Sequence, residues 1–184
     1  MRNANGPCHR IGACLLLLAL CSAPAPASAI YSVFLVRHAE KLGVEAGGKD
    51  PGLTDCGRRR AGHLARQLAE VPVRRVYSTG YRRTLATAAP VAERGVPLER
   101  YDPQRLPELA KRLLQEAEDA LVVGHSNTTE VLAGLLAGFT GEAYDERYYD
   151  RLYQVIISGD QRRLIQLQQG FDCSGDDSGY RSTR

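Results

Sequence analysis

Residues 30–41 read IYSVFLVRHAEK. The first seven are almost continuously apolar and rich in Val, Ile and aromatic side chains, the pattern of a strand buried on both faces. In open α/β sheets, ligands bind just beyond the carboxyl ends of such strands. Arg37 and His38 arrive at that end side by side, with Glu40 and Lys41 close behind. A cation next to a potential nucleophile at a strand end points to a site for an anion.

Upstream of this stretch the chain reads as a leader. Arg2 and Arg10 give a positive start, residues 11–21 an apolar run, and Ala27-Ser28-Ala29 a small-residue cleavage site. This is the pattern of a secretory signal peptide spanning residues 1–29 and cut after Ala29, with an apolar run short for a membrane span. The expectation is a periplasmic or secreted protein whose mature chain has no stable membrane insertion. The leader takes two of the 24 basic residues and none of the 21 acidic ones, leaving a net charge of +1. That balance argues against nucleic acid as the partner. Two cysteines, Cys56 and Cys173, stay in the mature chain. In an exported protein they are candidates for a disulfide, with two free thiols as the alternative.

Downstream, glycines and a proline make residues 43–52 a loop next to the proposed site. Thr54 or Asp55 caps a helix running to about residue 70, with Ala61, Leu64, Ala65 and Leu68 on its apolar face. Arg58, Arg59, Arg60, Arg66 and Gln67 lie mostly off that face, and His63, also off it, reads as a solvent-exposed histidine and not a ligand. Residues 73–77 form a second strand. The string STGYRRTLATAAPVAE then turns into a helix over residues 81–93, divided or kinked at Pro90. Thr79, Arg83 and Thr87 are spaced by four and so share a face at its start. A helix N-terminus favours anions through its free N–H groups and dipole, and an arginine there strengthens the same site. Residues 96–101 are a third strand or an extended connection, and residues 104–117 a helix with Leu106, Leu109, Leu113 and Ala117 inward. Residues 120–123 are another buried strand. Gly124-His125 makes a turn, and Ser126 or Asn127 caps the next helix. If the strands carrying His38 and His125 are parallel neighbours, the two histidines meet across one crevice. Residues 142–150 form a polar, tyrosine-rich loop, and Ser158-Gly159-Asp160 joins two alternating strands as a hairpin. The domain ends near residue 169, and the composition of residues 170–184 predicts a flexible tail. Asn127-Thr128-Thr129 matches a glycosylation sequon but lies in the proposed site turn.

The strings LVRHAEK, LTDCGRRRA, YSTGYRRTLATA and VVGHSN resemble, in order and spacing, the histidine phosphatase superfamily, the phosphoglycerate-mutase-like group. The short length and the plain GHS turn are similar to its compact first branch, which includes small phosphohistidine and sugar-phosphate phosphatases. The resemblance implies an α/β fold: a three-layer αβα sandwich with a mostly parallel central sheet. It implies a catalytic set of His38 as the nucleophile that becomes phosphohistidine, Arg37 and Arg83 as the phosphate-binding arginines, and His125 as the second histidine. A one-residue shift would put Arg82 in Arg83's place. The residue types suit the chemistry. Neutral imidazole can attack phosphorus, and arginine forks hold phosphoryl oxygens in pairs. Phosphoryl transfer needs positioning and charge stabilisation above all. The expected partner is a small phosphorylated substrate or a phosphoprotein, with no cofactor and no metal.

The resemblance has one gap. Many members carry a carboxylate that protonates the leaving oxygen, and the corresponding stretch, ERYDPQRLPELAKR, does not match. Asp102 is the favoured general-acid candidate, with Glu108 and Glu40 behind it. Glu40 could instead orient His38 or pair with Lys41. The alternative to an enzyme is a non-catalytic phosphate-binding module of the same fold. A metallohydrolase using His38 and His125 as ligands lacks an evident carboxylate or thiolate set.

Overall fold

The structure, a computed structural model, describes Met1 and residues 29–141 and 148–173. The expected leader, most of the tyrosine-rich loop and the end of the tail lie outside the described residues. The elements are β1 (Ile30–Arg37), α1 (Val44–Gly47), α2 (Asp55–Gln67), β2 (Arg75–Ser78), α3 (Arg82–Ala92), β3 (Leu98–Arg100), α4 (Leu106–Glu116), β4 (Ala120–Gly124), α5 (Thr129–Ala137), β5 (Arg151–Ser158) and β6 (Gln161–Gln168).

The apolar runs form the middle of one six-stranded sheet in the order β3-β2-β4-β1-β5-β6. β3, β2, β4 and β1 run parallel, while β5 and β6 are antiparallel and close the far edge. Alternation along β1 feeds two cores. Tyr31, Val33 and Leu35 pack with Leu109 and Leu113 of α4 and Leu132 and Leu136 of α5. Phe34 and Val36 pack with Leu64 of α2 and Ala88 and Val91 of α3. Helices therefore cover both faces, which is why the parallel strands read as unbroken apolar runs. The expected three-layer αβα sandwich is the observed one.

Local chemistry sets the ends of the elements. Thr54 caps α2, its hydroxyl accepting from the Gly57 backbone N–H at 3.0 Å. A side chain at Gly57 would collide with the Glu40 backbone, so α2 lies directly against the segment after His38. Pro90 sits inside α3, which runs on to Ala92. α5 begins at Thr129 with Thr128 as its N-cap position, in place of the expected Ser126 or Asn127. Gly159, at φ 57°, turns the β5–β6 hairpin.

Three surface expectations are corrected. Arg60 is buried, and its guanidinium grips the Glu40 carboxylate at 2.7–3.0 Å through Nε and Nη2. His63 is partly covered, with Nε2 at 2.8 Å from the Gln169 carbonyl oxygen and its ring beside Phe171. The start of the expected tail is held as well. Cys173 is buried and bonded to Cys56, with Cα atoms 5.8 Å apart, and Phe171 lies under the Arg60 guanidinium.

Candidate active site

Two parallel strands set the site. Arg37 of β1 is level with Gly124 of β4, and the His38 backbone N–H donates to the Gly124 carbonyl at 3.0 Å. The next residue of each strand's exit is a histidine. Their rings stand edge to face with centroids 5.5 Å apart. They share a cavity of about 420 Å³ whose lining includes Arg37, His38, Lys41, Tyr81, Arg83, Gln104, His125 and Asn127. The crevice expected from the two strand ends is present, and it brings together His38, Arg37, Arg83 and His125. Arg83 lines it; Arg82 is not among the lining residues.

His38 is 2% exposed. Its Nδ1 lies 2.8 Å from the Ala39 carbonyl oxygen. A carbonyl only accepts, so Nδ1 carries the proton and the lone pair is on Nε2. Burial is the largest influence on its basicity. Working against the Ala39 hydrogen bond, and with Arg37, Arg83 and His125 adding to it, burial pushes the pKa down to about 2. Burial, then Arg83 and Arg37, push His125 down to about 4. Both imidazoles are neutral in the resting protein near pH 7. Part of the depression comes from Arg37 and Arg83, so an anion beside the arginines would raise both values.

His125 is held from behind. Its Nε2 is 2.9 Å from Thr79 Oγ1, which is 2.8 Å from Thr84 Oγ1. Thr84 in turn reaches the carbonyl oxygens of Tyr81 and Thr79 at 2.9 and 3.0 Å. With Thr84 donating to a carbonyl, Thr79 donates to Thr84 and accepts from His125 Nε2–H, leaving Nδ1 as the histidine's free nitrogen. Thr87 has a different duty from the one its spacing suggested. It accepts from the Ala39 N–H at 2.9 Å and donates to the Arg83 carbonyl at 2.8 Å, pinning α3 to the exit of β1.

The arginines lie against aromatic rings. Arg37 sits over Tyr149 at 4.1 Å from the ring centre, and Arg83 over Tyr81 at 4.4 Å. Arg83 Nε is buried with no hydrogen-bond partner among the described residues, while Nη1 is 3.5 Å from Asp50. Tyr81 also meets His125 edge to face at 5.1 Å. Sequence reading missed both tyrosines. Tyr81 carried a signal, since it stands two residues before Arg83, whereas Tyr149 comes from a loop remote in sequence.

The carboxylate candidates fall outside. Asp102 is exposed and accepts from the Gln104 backbone N–H at 2.9 Å, closing its own turn; it is not among the residues lining the cavity. Glu108 is exposed and paired with Arg105 at 2.5 Å. Glu40 is turned onto Arg60, so it pairs with neither His38 nor Lys41. No Asp or Glu lines the cavity among the described residues. Among those residues, the cluster able to hold a metal is Glu40 with Cys56 and Cys173. It includes neither histidine, and its sulfurs are committed to the disulfide.

Comparisons agree with this architecture. Residues 33–110 match the model of the Histidine phosphatase superfamily (branch 1), a span that runs from β1 through the first turn and a half of α4. Over that span the chain is similar to the histidine phosphatase superfamily, the family its motifs resemble. Its fold is shared with the protein histidine phosphatase SixA, solved in complex with tungstate. The two are 19% identical with a TM-score of 0.61, over 75% of this chain and 97% of that one. It is also similar to an alpha-ribazole phosphatase from Shigella flexneri (17% identical, TM-score 0.61, 74% and 96% covered). A mycobacterial glucosyl-3-phosphoglycerate phosphatase is a third neighbour (15% identical, TM-score 0.57, 74% and 97% covered). No curated protein sequence matches.

Proposed function

We propose that the protein is a phosphatase that forms a covalent phosphohistidine on His38. The observation that carries the proposal is the convergence of a buried, neutral imidazole having its lone pair on Nε2 with Arg37, Arg83 and His125 around one cavity. The two arginines bind the phosphoryl oxygens. Nε2 attacks phosphorus, the bond to the leaving group breaks, and the electron pair departs with that group. A substrate that binds as the phosphoryl monoanion hands its proton to His125 Nδ1, whose N–H then donates to a phosphoryl oxygen. Water then attacks the phosphohistidine, giving inorganic phosphate and free His38.

Among the described residues no carboxylate lines the cavity, which favours substrates whose leaving groups need little protonation, such as a phosphoramidate of the phosphohistidine type, over unactivated sugar phosphates. The neighbours' reactions, on protein phosphohistidine and on small phosphorylated metabolites, span the same range. We place the enzyme outside the cytoplasm on the strength of the leader pattern in residues 1–29. The lack of a lining carboxylate among the described residues also motivates a second reading, a phosphate-binding module without turnover.

Hydrolysis of an aryl phosphate by the mature chain tests the reading. Native protein should turn it over in the presence of a chelator, and His38→Ala should lose essentially all activity. Full activity in His38→Ala contradicts the assignment of the nucleophile, and loss of native activity to the chelator contradicts a metal-independent route.

A further inference from the structure

Lys41 is a cationic side chain of the cavity lining that the proposed phosphoryl chemistry leaves unused. It follows His38 by three residues, is half-buried and lines the same cavity as Arg37 and Arg83. Its backbone is fixed by the short bridge to Leu53, with the Leu42 N–H donating to the Gly52 carbonyl at 3.0 Å. The neighbouring acids are engaged elsewhere. Glu40 is locked onto Arg60 on the far side of the chain, and Asp50 contacts the Arg82 backbone N–H and Arg83. Lys41 has no hydrogen bond or ion pair from its side chain among the described residues.

Three cations facing one cavity repel one another in the empty protein. Two arginines already match a phosphoryl dianion. The cavity, at about 420 Å³, falls in the range that encloses a whole small molecule, roughly 300–1,000 Å³, and so has room for more than a phosphoryl group. We propose that Lys41 is a second anion subsite, and that the preferred substrate carries a further anionic group, a carboxylate or a second phosphate, close to the phosphoryl group being transferred. This rests on the phosphatase reading only for the word substrate. The subsite itself is a binding property.

Binding of non-hydrolysable phosphonates separates the two. Affinities of methylphosphonate, phosphonoacetate and 3-phosphonopropanoate are measured by calorimetry for the native chain, Lys41→Gln and Lys41→Arg. The native protein should favour at least one carboxylated phosphonate over methylphosphonate by roughly tenfold, the scale of one charge-assisted hydrogen bond. Lys41→Gln should collapse that ratio toward one, and Lys41→Arg should preserve most of it. A native ratio near one, or a ratio unchanged in Lys41→Gln, overturns the subsite. The second outcome covers the case in which the lysine merely helps hold the phosphoryl group, since both ligands would then weaken together. Aryl phosphate turnover, assayed separately on the native chain, reports on the phosphatase reading whatever the ratio shows.

Discussion

At the scale of single residues, hydrogen bonds hold the protons of the two histidines in assigned places. The Ala39 carbonyl keeps a proton on His38 Nδ1 and leaves Nε2 bare. The Thr79–Thr84 pair does the reverse for His125, occupying Nε2 and leaving Nδ1 free. Thr79 is thus a positioning residue. Thr79→Val keeps the shape and removes the hydrogen bond, worth about 1 kcal/mol, so kcat/KM should fall roughly fivefold. The pH profile should change with it, because the tautomer and basicity of His125 are no longer fixed, and Thr79→Ser should restore both. A profile identical to native would show that the threonine only fills space. The histidines and arginines were legible in the sequence because strand ends and helix starts fix where such residues go. Thr79 was legible as a residue of the site face but not as the partner of His125, because that partner lies 46 residues away on another strand.

At the scale of elements, the junction of β1 with α2 departs furthest from its sequence pattern. Helical spacing correctly identified Ala61, Leu64 and Leu68 as inward. It could not show that Arg60, one residue before Ala61, reaches under the chain to Glu40, since an arginine's long stem lets its head group travel far from the face it starts on. The pair is almost completely buried, with side chains 5% and 6% exposed. Arg60→Met strands the Glu40 carboxylate and should destabilise the fold by about 3–5 kcal/mol, whereas Arg60→Met combined with Glu40→Leu should recover much of the loss. Denaturant unfolding of the two variants measures this, and equal losses in both would place the stabilisation in packing instead. Asp102 failed for a related reason. Its position at a strand end was read correctly, but its carboxylate closes the local turn before α4, an option that Asp takes readily and that pattern alone does not exclude.

At the scale of the whole molecule, the sheet order brings the exits of β1 and β4 together, while the disulfide fastens the end of the described chain to α2. Low complexity made residues 170–184 read as loose, yet Cys173 is tied to a residue 117 positions earlier. A crosslink closing so long a loop restricts the unfolded chain, and removing such bonds costs typically 2–4 kcal/mol. Thermal unfolding with and without a reductant should therefore show a lower Tm in the reduced protein, and an unchanged Tm would mean the bond contributes nothing to stability. The α/β architecture was legible because apolar runs and helical periods are local, whereas the Cys56–Cys173 link was legible only as one of two alternatives, because it depends on a contact between distant segments. The central claim concerns one atom, Nε2 of His38. Its most direct test is a rapid denaturing quench at alkaline pH during turnover of an aryl phosphate, followed by mass spectrometry of the intact chain and its peptides. One added phosphoryl group is expected, on His38 and absent from His38→Ala. A native chain that hydrolyses the substrate while no phosphoryl group accumulates on His38, even with a poorly hydrolysed phosphoramidate donor, would contradict it.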